Sequence, residues 1–97
     1  MKANVVTAQV QPGKIDEGIR IYRDVVVPDI KQEQGFKGAF LLTDTTTSQI
    51  VSITLWETEA DLKAAATNSL HQAHFAELAR VVAGPPTQQA YEVSVQG

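Results

Sequence analysis

The sequence predicts an α+β fold: a four-stranded antiparallel sheet with its helices on one face, in the element order β-α-β-β-α-β. Three observations predict it. Residues 35–66 (GFKGAFLLTDTTTSQIVSITLWETEADLKAAA) read as strand, polar turn, strand and helix start. Ahead of them, apolar residues recur at helical spacing between a short alternating strand and Gly35. Behind them, a second helical stretch ends at Gly84-Pro85-Pro86 and gives way to a final alternating segment.

Each element has its own warrant. Residues 4–11 (NVVTAQVQ) alternate Val6, Ala8 and Val10 with Val5, Thr7 and Gln9, which suits a strand with one apolar side. Pro12-Gly13 breaks it. Residues 14–34 predict a long helix. Asp16 and Glu17 sit in its first turn, where acids favour the positive end of the helix dipole. Ile15, Ile19, Tyr22, Val26 and Ile30 form one stripe, whereas Ile21, Val25 and Val27 fall off it and are either exposed or turned to a partner chain. Pro28 lies inside this pattern. It removes a backbone donor and crowds the preceding turn, so a kink or break is expected over residues 25–28. Gly35 stops the helix.

Strands follow at residues 36–43 and 50–56, joined by the turn-forming tip Asp44-Thr-Thr-Thr-Ser-Gln49. Thr58-x-x-Asp61 is a capping pattern opening a helix to about Thr67. Ser69-x-x-Gln72 resembles a second capping box, for a helix from Leu70 to about Ala83. Residues 89–95 (QAYEVSV) alternate and make the last strand. Two right-handed crossovers in one antiparallel sheet put both helical segments on the same face, the ferredoxin-like arrangement, with residues 1–97 as a single domain.

That arrangement leaves the other sheet face bare, yet neither hairpin strand is one-sided. In the second, Val51, Ile53 and Leu55 oppose Ile50 and Trp56; in the first, Ala39 and Leu41 oppose Phe36, Phe40 and Leu42. Whichever phase is chosen, the bare face carries either Phe36, Phe40, Leu42 and Trp56 or the Val51, Ile53, Leu55 set. A sheet wet on one side should alternate apolar and polar, and large apolar patches are unusual on monomers. Covering roughly 800 Å² would be worth on the order of 20 kcal/mol before association costs. A homodimer joined through this sheet face is therefore expected.

Composition sets limits on function. The chain has 97 residues, 43% hydrophobic and 20% charged, as expected of one small soluble domain. A net charge of −3 with scattered Lys and Arg argues against nucleic acid as a partner. There is no cysteine, hence neither disulfide nor thiolate chemistry. No apolar run approaches the ~18 residues of a membrane span, and the first residues lack a signal peptide's apolar core. A cytoplasmic protein without membrane partners is expected.

The segments VVVP (residues 25–28), QGFKGAFLL (from Gln34) and SITLWETEADLKAA (from Ser52) resemble the dimeric α+β barrel superfamily, and within it the antibiotic biosynthesis monooxygenase-like domains. The resemblance runs over residues 4–95. It implies a barrel closed by two sheets, with a pocket between each sheet and its own helices. It also implies activities ranging from cofactor-free oxygenation of aromatic polyketides and quinols to haem degradation. Haem-degrading members use a first-strand asparagine, a helical tryptophan and a histidine. Here those positions fall near Val6 and Ala65, with only His74 as a counterpart, so the resemblance argues against haem degradation by that route. The oxygenases' asparagine, tryptophan and tyrosine group does not assemble either, since Trp56 closes a strand and Asn68 lies between helices.

The residues offer a short set of candidates. His71 and His74, the only histidines, stand three apart on a helix and fall within its apolar arc. Such a histidine can titrate near neutral pH and act as a base, although histidines so placed are more often core-edge residues with satisfied nitrogens. A zinc site wants a third and fourth ligand at suitable spacing, and none is present, so no metal is expected. No cofactor is expected. Trp56 is suited to stack on a flat ligand, though strand-end tryptophans more often fill a core or interface. Phe40 and Phe75 are expected to shape the pocket, and the Tyr22 hydroxyl to reach it. The leading expectation is a cofactor-independent monooxygenase-like protein acting on a small aromatic or quinol-type compound, with His74 or His71 as base. The alternative is a non-enzymatic small-molecule-binding or stress-related barrel.

Overall fold

A computed structural model describes the backbone of residues 1–97 and every side chain except those of Ser69, Leu70, His71 and His74. Strand β1 (Lys2–Gln9) leads to helix α1 (Ile15–Ile21), a π-helical turn (Tyr22–Val26) and α2 (Val27–Ile30). The hairpin β2 (Phe36–Asp44) and β3 (Gln49–Trp56) follows, then α3 (Glu59–Thr67), α4 (Ser69–Ala79) and β4 (Thr87–Glu92). The four strands form one antiparallel sheet in the order β2-β3-β1-β4, the expected ferredoxin-like topology.

The helical ladder runs through Pro28 without breaking. The turn before it widens to π form, and the backbone stays in the right-handed helical region through Val27. A π turn relieves the crowding between the proline ring and the preceding carbonyls by inserting a residue into the repeat. Ile21, off the regular stripe, is buried to 4% exposure, while Ile19 lies at the margin. The helical segment ends at Ile30 rather than Gln34, and a turn leads to Gly35 at φ +82°. Gly35 is required twice over: its backbone is left-handed, and a Cβ there would collide with the Asp61 carboxylate.

Thr58 caps α3 as expected, its Oγ1 accepting from the Asp61 N–H at 3.1 Å. At α4 the boundary falls one residue earlier than the sequence suggests. The Asn68 carbonyl accepts from the Gln72 N–H at 3.0 Å, and the Asn68 amide donates to Glu33 Oε1 at 3.0 Å. The expected Ser69 cap lies outside the described residues. Helix α4 stops at Ala79, and the chain then pairs Val82 with Val10 in an isolated bridge. Residue 95, expected in the last strand, lies beyond it, with Val95 88% exposed.

One irregularity decides which groups share a face. A bulge between Phe36 and Gly38 inserts a residue into β2, so Phe36 stands opposite Trp56 but Gly38 opposite Leu55. Simple alternation groups Phe36, Phe40 and Leu42. The bulge instead keeps Phe36 with Trp56, Thr54 and Ser52 under the helices, and turns Phe40 and Leu42 to the open face beside Val51, Ile53 and Leu55. Cross-strand pairing adds Val5 and Tyr91 to that open face. Phe40, Leu42 and Tyr91 are each half exposed or slightly more. The covered face of β3, by contrast, carries Ser52 and Thr54, both 4% exposed. The hydroxyls are inside and much of the aliphatic surface is outside.

The main core joins α1, the π turn, α2 and the end of α4 to the sheet through residues such as Val10, Tyr22, Val26, Ile30, Ile50 and Leu78. A smaller cluster of Trp56, Leu62 and Ala65 seats α3. Phe36 packs on both clusters and meets the Trp56 ring edge-to-face, centroids 5.8 Å apart.

Candidate functional site

Between the covered face of β1 and β3 and the helix α4 runs a two-lobed cleft. The larger lobe, about 340 Å³, is walled by Val6, Ala8 and Ile50 from the sheet, Phe75 and Leu78 from α4, and the turn at Gly84 and Pro86. The smaller, about 210 Å³, is bordered by Asn4, Thr54, Gln72 and Gln88. Val6, Ser52 and Phe75 line both lobes, which therefore adjoin. The cleft exists because the strands present small side chains here: Ala8 and Ser52 leave room beneath α4 that larger residues would fill.

The polar lobe is organised by side-chain hydrogen bonds. Trp56 Nε1 donates to Thr54 Oγ1 at 2.9 Å. Gln88 Nε2 donates to Asn4 Oδ1 at 2.8 Å, and Gln72 Nε2 donates to the Ala66 carbonyl at 2.9 Å. Behind the junction, the Tyr22 hydroxyl lies 3.0 Å from Ser52 Oγ and donates to the Phe40 carbonyl at 3.3 Å. Burial raises the Tyr22 pKa above the usual tyrosine value, with the Ser52 bond acting the other way. No described lining residue is ionisable. Among the described residues no group of three acidic or histidine side chains is placed to hold a metal ion, and no helix is long and apolar enough to cross a membrane.

The structure distributes the expected site residues unevenly. Phe75 borders both lobes. Tyr22 stands one residue back, reaching the cleft through Ser52. Trp56 is 2% exposed and outside both linings; it contributes by occupying Thr54. Phe40, expected at the pocket, lies on the opposite face of the sheet, because the bulge reverses the phase of β2 after Phe36. The side chains of His71 and His74 lie outside the described residues; their backbone belongs to α4, the helix that supplies Gln72 and Phe75 to the cleft.

Sequence reasoning missed Asn4, Ser52, Thr54, Gln72 and Gln88. A signal was present for two of them. Ser52 and Thr54 share a phase with Ile50 and Trp56, so large apolar residues flank them on one face. Hydroxyls on a covered face need partners or a cavity.

Comparison with known proteins places this geometry. The family model described as antibiotic biosynthesis monooxygenase matches residues 1–83. Over 62 residues, 64% of this chain, the sequence is 34% identical to the Mycobacterium tuberculosis proteins Rv2558 and MT2635. The match takes in 26% of each, so the chain spans about a quarter of the length of these curated relatives. Among solved structures, SnoaB, a cofactor-independent oxygenase from Streptomyces nogalater, superposes with a TM-score of 0.82 at 14% identity, over 98% of this chain and 94% of that one. NE2512, a Nitrosomonas europaea protein of unknown function, gives 0.80 at 19% identity, over 99% and 91%. At these identities the superpositions show a common fold. With its family model covering most of the sequence, the chain belongs to the antibiotic biosynthesis monooxygenase family.

Proposed function

We propose that the protein is a homodimeric, cofactor-independent monooxygenase-like protein that takes a small aromatic or quinol-type compound into the cleft. The observation that carries this reading is the apolar lobe under α4, about 340 Å³ and walled by aliphatic and aromatic groups. Its size falls within the roughly 300–1,000 Å³ typical of small-molecule pockets. Family membership and the fold shared with SnoaB, a cofactor-independent oxygenase, support the reaction class.

In such a reaction a base takes a proton from the substrate, the resulting carbanion combines with dioxygen to form a carbon-bound peroxide, and the peroxide takes the proton back and loses water as its O–O bond breaks, leaving one oxygen on the product. The protein's tasks are deprotonation, orientation and exclusion of water. His74 or His71 is proposed as the base. Phe75 shapes the pocket, while Tyr22 and Trp56 hold Ser52 and Thr54 from behind. Phe40 belongs instead to the surface proposed for the second copy. That surface brings together Phe40, Leu42, Val51, Ile53 and Leu55, an aliphatic and aromatic face opposite the helices.

A second reading, a non-enzymatic small-molecule carrier in the cytoplasm, is favoured by one observation: no described lining residue is ionisable. Oxygen uptake with a panel of phenols and quinols separates the two. The enzyme reading expects substrate-dependent oxygen consumption that is lost in His71→Ala plus His74→Ala. Ligand binding without uptake favours the carrier. Full uptake in the double variant removes the histidines from the mechanism.

A further inference from the structure

We infer that the second copy seats off-centre on the open face of the sheet, towards the end where β3 closes, with the two-fold axis of the dimer passing at Ile53. This rests on the homodimer proposed above and deepens it with a position for the symmetry axis and a residue that meets its own copy.

The strand registers sort the open face into rows. At the end where β3 closes, Gly38, Leu55, Ala3 and Tyr91 lie side by side across all four strands. The next row runs Phe40, Ile53, Val5 and Gln89, apolar over three strands. The third runs Leu42, Val51, Thr7 and Thr87, apolar over two. The last, Asp44, Gln49 and Gln9, has no apolar member. The apolar surface is therefore a wedge, broad at one end and tapering along β2 and β3. Phe40, Leu42 and Tyr91 stand half exposed on it.

Three rows by four strands, at ~3.4 Å per residue and ~4.8 Å between strands, measure about 20 Å each way. With the relief of the side chains added, that footprint is of the order of the ~800 Å² each partner gives to a stable interface. No Asp, Glu, Lys, Arg or His lies within the three rows. Nothing there selects a charged partner, whereas a second wedge matches the first in chemistry and outline.

Two sheets packed face to face by a two-fold axis have that axis in the plane between them. A residue on the axis faces its own copy, and any other faces a different residue. Apolar overlap is greatest when the axis crosses the middle of the wedge. That middle is Ile53, with Phe40 and Val5 on either side and Val51 and Leu55 as its neighbours along the same face of β3. Whichever direction the axis takes within the plane, it passes this residue. Stacked sheets lie ~10 Å apart, so the two Ile53 side chains meet across the gap. Gln49, at the tapered end, is at most part of a wet rim, where a charge costs little.

The test uses charge, because a residue that faces its own copy brings like charges together in every dimer. Ile53→Lys and Ile53→Glu are each expected to weaken the dimer about 100-fold or more by sedimentation equilibrium, as truncation or disruption at the centre of an interface does. An equal mixture of the two variants is expected to give a mixed dimer about tenfold or more tighter than either variant forms alone, since the axis then joins opposite charges. Gln49→Lys is expected to stay within about tenfold of wild type. Ile53→Ala, a milder change that keeps the strand apolar, is measured in parallel and is expected to weaken the dimer about tenfold. The proposal is overturned if either charged variant dimerises as tightly as wild type, if mixing brings no gain, if Gln49→Lys dissociates the dimer as fully as Ile53→Lys, or if Ile53→Ala leaves the dissociation constant unchanged. Any of these results with a dimeric wild type keeps the homodimer reading and removes the position of its axis. A monomeric wild type removes both.

Discussion

Removing the hydroxyl of Tyr22 tests how the cleft is supported from behind. Tyr22 and Ser52 are each 4% exposed, and their oxygens stand 3.0 Å apart. The Tyr22 hydroxyl also donates to the Phe40 carbonyl at 3.3 Å. A buried neutral hydrogen bond contributes about 1 kcal/mol net. Tyr22→Phe removes two such bonds and is expected to cost about 2 kcal/mol, whereas Ser52→Ala removes one and is expected to cost about 1 kcal/mol. The double variant should cost about 2 kcal/mol rather than 3, because the shared bond is lost only once, which leaves a coupling of about 1 kcal/mol. Urea unfolding of the four proteins at one fixed protein concentration measures this. Additivity within about 0.3 kcal/mol would show that the two hydroxyls do not support each other. The pH dependence supplies a second check. The folded-state pKa of Tyr22 lies above the unfolded value, chiefly through burial. Its contribution is therefore fully present below the unfolded tyrosine pKa, about 10, and is lost as pH rises through the folded value. Tyr22→Phe should lose less stability than wild type across that alkaline window.

Two further perturbations address the open face and the turn before β2. Phe40 and Leu42 are 53% and 50% exposed. At about 2 kcal/mol for fully burying such a side chain, covering the exposed half of each contributes about 1 kcal/mol, or about 4 kcal/mol over two copies. Phe40→Ala with Leu42→Ala should then weaken the dimer about 1,000-fold; an unchanged dissociation constant by sedimentation would place the contact elsewhere. Gly35→Ala should cost about 1–2 kcal/mol for the left-handed backbone plus the collision with Asp61. In an Asp61→Gly background, which removes the Asp61 Cβ along with its carboxylate, only the backbone part should remain, and equal costs in both backgrounds, read from urea midpoints, would contradict the collision.

What could be read from the sequence was whatever depends on local pattern. Alternation found the first and last strands, apolar runs around a polar turn found the hairpin, helical spacing found the first helix and capping patterns the later two, with Thr58 announcing its own cap. The features that escaped are single-residue changes of phase. One extra residue in β2 moved Phe40 away from Phe36, and the π turn inserted one between α1 and α2. A period-two or 3.6-residue template has no place for either insertion. The cleft was harder still. Ala8 and Ser52 are unremarkable as residues; they make a cavity only because α4 crosses above them. Asn4 and Gln88 are 84 positions apart and meet only through the pairing of β1 with β4. The inward hydroxyls of Ser52 and Thr54 were visible in β3, flanked by Ile50 and Trp56, but that signal acquires meaning only once the covered face is known.

The central claim is that a sheet with its aliphatic side turned outward, away from its own helices, is completed by a second copy of the chain. Sedimentation equilibrium of the wild-type protein from 1 to about 50 μM measures this most directly, a range in which a stable dimer with a dissociation constant of about 1 nM stays assembled. The account predicts a mass of twice 10.5 kDa throughout. A monodisperse species of 10.5 kDa at the upper end, with Phe40 and Leu42 open to solvent, would contradict it.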